Sequence, residues 1–478
     1  MQTKYDEVLY PTAPRKESHP ERLAMMAHLM GLETAPLVQC RVLELGCGDG
    51  GNLIPIAHDY PGSEFVGMDL AELPLAAARE FSDQLGLRNI EFQQGDLTTW
   101  SAPGREFDYI MVHGVYSWVP DTAREGILRI CQQQLAPKGV AFISYNALPG
   151  CYFRRYIWDM MKFHTRGIND PSKKVASAKE FAEKAMGALE EQGHPGALRL
   201  ELQEFLNRHE SVVFHDDLSE CNNPFYVEEF TAQAARYGLQ YLADADSVRD
   251  HGLPFPIVTK DRAHERQYAD FASARRFRET LVCREGLALP ENIKLERLLD
   301  LSAGSKVEAE PEQEDGTQKF NLGQNRSLST NHSAAKAILL AASARWPEML
   351  PARELPLQGE DPAEDVDCLV RLLMTGALEF RVDAPKVSRV TARPTASALA
   401  RAQLALGRHD VTSQRHFTVN LSDEMARQLV QLLDGTRDHA EVAAALAGTA
   451  SAEGLQDNLP EKVAVSLNML ARMSLLTS

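Results

Sequence analysis

Chemistry is concentrated in the segment Glu44-Leu45-Gly46-Cys47-Gly48-Asp49-Gly50-Gly51, which closes the apolar run Arg41 to Leu45. Glycines allow a bound group to approach the backbone closely, and the carboxyl end of a first strand is where an open α/β sheet takes its ligand. Glu44 sets an acid two residues before the first glycine. A carboxylate there repels a pyrophosphate and attracts a ligand carrying positive charge. Asp69 closes the next run, Glu64 to Met68, and fits an acid that accepts from ribose hydroxyls; its plainer reading is a strand-end turn residue. Gln94-Gly95-Asp96-Leu97 follows a third run. Asp96 is placed to accept from an adenine amine, or else to cap a turn. Three acids arriving in register after three successive strands argue against coincidence.

The glycines formally satisfy two patterns. Gly46, Gly48 and Gly51 fit the dinucleotide spacing, and the same string fits the methyltransferase pattern E-x-G-x-G-x-G. The charge of the ligand separates them: Glu44 suits the cationic amino-acid end of S-adenosylmethionine. After a fourth strand comes His113-Gly114-Val115-Tyr116-Ser117-Trp118-Val119-Pro120. Aromatic side chains at the ligand end of a sheet can hold an alkylammonium by cation–π attraction and exclude water. The alternative for Tyr116 and Trp118 is that they pack the loop onto the core, and a lone His such as His113 is more often structural than catalytic.

The elements that must position these residues alternate between strand and helix. Strands are expected at Arg41 to Leu45, Glu64 to Met68, Asn89 to Phe92, Phe107 to Val112 and Gly139 to Tyr145, with helices at Asn52 to His58, Glu72 to Leu85 and Arg124 to Leu135. This is an α/β, doubly wound, Rossmann-like order over residues 1–150. Residues 151–210 read instead as a helical insertion, with helices at Cys151 to His164, Ala176 to Glu191 and Ala197 to Asn207. The core resumes over 211–300, where a helix Val227 to Tyr237 and strands Leu239 to Ala243 and Glu279 to Cys283 bring the sheet to seven strands. Residues 301–318 are acidic and lack apolar periodicity, so they are expected as a linker. Residues 319–395 are expected to be winged-helix-like, and 396–478 a C-terminal helical domain.

The 478 residues carry 67 acidic against 50 basic side chains, a net charge of -17. That balance disfavours nucleic acid or anionic membrane as a partner through bulk charge, and residues 321–478 show no strongly basic recognition helix. The seven cysteines are scattered and never form C-x-x-C, which fits reduced thiols and gives no zinc site. No metal is expected. The stretch MQTKYDEVLYPTAPRK has no apolar signal core, and no run approaches a membrane span, so a cytoplasmic protein is expected.

With these motifs together, the sequence resembles the class I S-adenosylmethionine-dependent methyltransferases that carry a methyltransferase regulatory domain, whose best-described members are the rickettsial protein lysine methyltransferases. The resemblance runs through HPERLA, RVLELGCGDGGNLIP, FVGMDL, FDYIMVHGVYSWVP, LAPKGVAFISYNALPG, NNPFYVEEF, FASARRFRETLVC and RPTASALARAQ. It implies S-adenosylmethionine as donor, S-adenosylhomocysteine as product and a protein lysine as acceptor. The expected cofactor-binding set is Glu44, Gly46, Cys47, Gly48, Asn52, Asp69, Leu70, Asp96, Leu97, His113 and Val115. Tyr116, Trp118 and Tyr226 are expected on the acceptor side. Where relatives tend to have an aromatic after Gly150 this chain has Cys151, which puts a contact there in doubt. The helical insertion and C-terminal units are expected to recognise the acceptor or to form a homodimer. Rival readings are a small-molecule or natural-product methyltransferase and a cofactor-binding regulator.

Overall fold

A computed structural model describes residues 8, 10, 12–191, 196–246, 262–359, 361–448 and 458–477. The expectation for the first seven residues therefore lies outside the described ones. The chain divides into two compact units. The first comprises Met1–Thr12, Glu33–Ala57 and Pro61–Glu291; the second comprises Ala13–Leu32, His58–Tyr60 and Asn292–Ser478. Residues 1–150 are expected to be core throughout, but Ala13–Leu32, which includes the helix Pro20–Leu29, belongs to the second unit.

The first unit is built on strands β1 (Arg41–Leu45), β2 (Glu64–Asp69), β3 (Ile90–Gln94), β4 (Phe107–Val112), β5 (Leu135–Asn146), β6 (Leu239–Asp244) and β7 (Phe277–Arg284). They form one sheet in the order β3-β2-β1-β4-β5-β7-β6. The first five are parallel, and β7 runs antiparallel between β5 and β6. Val42, Leu43 and Leu45 of β1 are fully buried, as the continuous apolar run of a central parallel strand requires. The sheet order reverses at β1 and β4, so the loops after those strands diverge and leave a crevice at their carboxyl ends.

Three helices, Cys151–His164, Pro171–Glu191 and Gly196–Asn207, follow β5 as the apolar spacing predicts. They share a small core of Ile157, Met161, Ala178, Ala182, Leu202 and Phe205, to which Val213 adds. A short π-helix, Val213–Asp217, and the segment 222–226 lead into the helix Val227–Ala235.

In the second unit the first half of the stretch expected as an acidic linker forms short strands, while 310–317 holds no helix or strand. Ser302–Gly304 pairs with Leu350–Pro351 and Glu379–Arg381, and Glu308–Ala309 pairs with the hairpin strand Gln318–Gly323. Ala303, Ser305 and Val307 are buried. Three short side chains at alternate positions are enough to dock an edge segment, and the acids around them hide that period from a reading of composition. Four helices, Ala398–Ala405, Glu424–Leu432, His439–Ala447 and Leu459–Arg472, close the chain around a separate core that includes Leu429, Leu446, Leu467 and Leu475. Among the described residues no helix is long and apolar enough to cross a membrane.

Candidate functional site

The glycine loop leaves β1 through two left-handed residues, Gly46 at φ 75° and Gly48 at φ 56°. A Cβ on Gly46 would stand 2.5 Å from Val115 Cγ2, so the loop after β4 closes against the loop after β1. Asp69 ties the turn to β2: one carboxylate oxygen accepts from the Gly48 amide at 2.9 Å and the other from the Ala71 amide at 2.9 Å. Both turn and acid therefore face the same end of the sheet.

Glu44 is buried at 4% exposure. Its Oε1 accepts from Asn52 Nδ2 at 2.7 Å, while Oε2, also buried, has no hydrogen-bond partner among the described residues. Burial, opposed by the Asn52 hydrogen bond and reinforced by Asp69 and Asp49, pushes the Glu44 carboxyl up to about 8. A buried acid of this kind is uncomfortable when ionised and unpaired, and a cationic group brought to Oε2 would relieve it. The donor set thus fits the ammonium end of an S-adenosylmethionine molecule: Glu44 for positive charge, the left-handed glycines for close approach, and Asp69 for hydroxyls.

The remaining expected residues divide. Val115 and His113 line the loop after β4; His113 lies in ring contact with Phe142 and Phe277, with centroids 6.1 Å away in each case, and its Nδ1 is 3.5 Å from Ser144 Oγ. Leu70 is 42% exposed beside Asp69. Asn52 acts on Glu44 rather than outward. Cys47 contributes backbone only, because its thiol is buried against Gly67 and burial holds it well above the ordinary thiol range. Asp96 is exposed, and its Oδ1 accepts from the Thr98 amide at 2.8 Å and the Thr98 hydroxyl at 2.7 Å. That oxygen caps its own turn and holds the carboxyl below its usual range, so only the other is open to a ligand. Leu97 packs against the core, with its carbonyl held by Arg129 at 3.1 Å.

Tyr116 does not face the crevice. Its ring is fully buried among Tyr145, Phe225 and Phe230, and its hydroxyl donates to Gln233 at 2.6 Å. The 3₁₀ turn Tyr116–Trp118 turns Tyr116 and Ser117 into the core and leaves Val115 and Trp118 half-buried. Trp118, by contrast, is half-buried with an indole Nε1 that is inaccessible to solvent and has no partner among the described residues. Tyr226 is also outward. Its hydroxyl shares a 2.9 Å hydrogen bond with that of Tyr152, which pushes the Tyr226 phenol up to about 12.

The structure brings Trp118 and Tyr226 into one neighbourhood through residues that sequence reasoning missed. The Asn146 amide donates to Ser117 Oγ at 2.9 Å, Asn146 Nδ2 donates to Asn222 Oδ1 at 2.7 Å, and the Asn223 amide donates to the Ser117 carbonyl at 2.9 Å. The Phe225 amide donates to the Asn146 carbonyl, and the Leu148 amide to that of Phe225. Polar Asn146 and Ser144 within the apolar run of β5 were the available signal: a buried polar side chain demands a partner.

Comparison with known proteins matches residues 42–139 to a methyltransferase domain, 209–284 to a predicted methyltransferase regulatory domain, and 392–473 to the PKMT C-terminal winged helix domain. The matched winged helix thus falls almost wholly in the region expected as a C-terminal helical domain, 396–478. Its strands, Thr395–Ala396, Asp410–Thr412, Thr418–Asn420 and Leu476–Thr477, are too short to leave an alternating pattern. Uncharacterized protein RP789 of Rickettsia prowazekii is 37% identical over 298 residues, 60% of this chain and 54% of that protein. The chain thus spans about half of that relative's length. Uncharacterized protein RP028 of the same organism is 33% identical over 240 residues, half of this chain and 96% of that protein. The structure of PKMT2 from Rickettsia typhi in complex with AdoHcy superposes with a TM-score of 0.85 at 25% identity, covering 98% of this chain and all of that one. A seven-stranded sheet with an antiparallel β7, an acid-tipped glycine loop, a regulatory domain and a PKMT-type winged helix agree with these matches, and the chain belongs to the rickettsial-type S-adenosylmethionine-dependent methyltransferases.

Proposed function

We propose that this methyltransferase modifies lysine side chains of a bacterial protein, exposed on the outer membrane or another surface of the cell. What supports the reading is the coincidence of a PKMT winged helix domain and whole-chain likeness to PKMT2 with an unpartnered Trp118 indole in the loop after β4 and an outward Tyr226 hydroxyl.

When bound, the donor supplies an electrophilic methyl group on a positively charged sulfur. Glu44 is assigned to its amino-acid end, Asp69 to its ribose, and the free oxygen of Asp96 to its base. The chain contributes placement and dryness rather than covalent or metal chemistry to the transfer. A lysine amine needs a lone pair, and keeping it neutral at pH 7 costs roughly 4 to 5 kcal/mol if nothing assists. Desolvation against Trp118 lowers that cost, as does positive charge nearby. The Tyr226 phenol, held near 12, stays protonated and serves as a hydrogen-bonding wall, not as a base.

The test is peptide mass spectrometry of outer-membrane and surface proteins after incubation with the purified chain and donor. Methyl groups on specific lysines are expected. Turnover confined to a small metabolite, with every lysine untouched, would favour the small-molecule reading. Donor binding without any transfer would favour a cofactor-binding regulator.

A further inference from the structure

The N-terminal residues of the first unit make contacts that neither the glycine-loop motif nor the family matches assign. Thr12 sits on the glycine loop. Its Oγ1 accepts from the Gly51 amide at 2.7 Å and donates to Asp49 Oδ1. A Cβ on Gly48 would lie 2.6 Å from Thr12 Cγ2, and one on Gly51 would lie 2.6 Å from the Thr12 carbonyl oxygen. The absence of side chains at Gly48 and Gly51 therefore makes room for Thr12 as well as for a ligand.

Val8 and Tyr10 meet a different element. His215 is buried, and its Nε2 donates to the Val8 carbonyl at 2.8 Å, which fixes the proton on that nitrogen. The Tyr10 ring meets the His215 ring edge-on at 5.7 Å, and the Tyr10 hydroxyl hydrogen-bonds Asp216. His215 and Asp216 lie in the π-helix Val213–Asp217, inside the stretch matched to the regulatory domain. Single-turn π-helices concentrate at functional sites.

We propose that Thr12 is a positioning residue for the cofactor loop, and that Val8, Tyr10 and Thr12 form a clasp joining that loop to the π-helix of the regulatory segment. The clasp presets the turn whose backbone receives the donor. Its release from His215 loosens the turn, so donor affinity is set partly by residues that touch no donor atom.

Thr12→Val keeps the shape of the side chain and removes its hydroxyl; Thr12→Ser restores the hydroxyl. In the donor-free protein, hydrogen exchange at the Gly51 amide is expected to accelerate about tenfold in Thr12→Val and to return to the parent rate in Thr12→Ser. Calorimetry should show the dissociation constant for S-adenosylhomocysteine rising about fivefold to thirtyfold in Thr12→Val, with kcat at saturating donor within about twofold. His215→Phe, which keeps a ring beside Tyr10 and loses the donor to Val8, should move the same two readouts in the same direction by less. Unchanged Gly51 exchange in Thr12→Val overturns the proposal, as does an affinity loss that Thr12→Ser fails to restore or a fall in kcat of equal size. Because the exchange readout needs no donor, it stands apart from any error in the acceptor assignment.

Discussion

Two buried acidic sites on the same sheet, one on the inner strand β1 and one at the β7–β6 edge, solve the problem of charge in different ways. At β6 and β7, Arg278 is fully buried and completely paired: Nε and Nη2 donate to Asp270 at 2.7 and 3.0 Å, and Nη1 donates to Asp244 at 2.5 Å. Thr280 adds a bond to Asp244 at 3.1 Å. Burial opposes charge on Asp244, but Arg278, Arg266 and Arg275 outweigh it and hold that carboxyl below its ordinary range. At β1, Glu44 has one amide for a partner, a second oxygen left over, and a carboxyl driven upward by the same burial. A closed network holds strands together; an open one holds a place for something else. The unpartnered oxygen is what separates the two sites, since burial also raises the Asp270 carboxyl inside the closed network.

That contrast is sharpest in mutation. Arg278→Met should strip Asp244 and Asp270 of their shared guanidinium, leaving Thr280 on the one and Arg275 beside the other, and cost about 3 to 5 kcal/mol of stability, read as a shift of the urea unfolding midpoint. A loss below about 1 kcal/mol would mean the network closes nothing. Glu44→Gln should act the other way round, weakening donor affinity about thirtyfold, near 2 kcal/mol, by calorimetry, while leaving donor-free stability intact or improved. The sign with pH follows. A carboxyl raised in the folded state contributes stability that is full below the ordinary carboxyl range and is lost as pH rises toward about 8. Donor-free parent protein should therefore lose stability across that window relative to Glu44→Gln, and its donor affinity should climb over the same interval. Equal pH profiles for the two proteins would sink the assignment of Glu44.

How far this site could be read from the chain follows from how local each feature is. The glycine loop, Glu44 and Asp69 sit at the ends of apolar runs, so hydrophobic period and charge alone place them together. The seven strands were equally legible, although the antiparallel insertion of β7 between β5 and β6 leaves no trace in a pattern of apolar residues. Thr12 was invisible because its partner Gly51 is 39 residues away. Asp96 reads two ways because an acid after a strand suits a ligand and a turn alike, and one of its oxygens caps the turn while the other stays open. Trp118 and Tyr116 are two residues apart yet face opposite environments, since a short 3₁₀ turn, Tyr116–Trp118, breaks the strand period. Trp118→Phe, which deletes the orphan indole donor, is expected to lower turnover on the acceptor about fivefold to tenfold with S-adenosylhomocysteine affinity kept within about twofold. A matching fall in that affinity would move Trp118 to the donor side.

Tyr116→Phe gives the smallest effect and the cleanest contrast with Trp118. The Tyr116 ring stays in its aromatic cluster, so packing is preserved, and only the hydroxyl bond to Gln233 is lost. A single neutral hydrogen bond of this kind is worth about 1 kcal/mol, so a modest drop in melting temperature is expected with kcat/KM unchanged. Core hydroxyls change stability; crevice donors change turnover. If Tyr116→Phe instead slowed methyl transfer while melting stayed constant, the loop after β4 would have to present the opposite face to the crevice, with Tyr116 rather than Trp118 on the acceptor side.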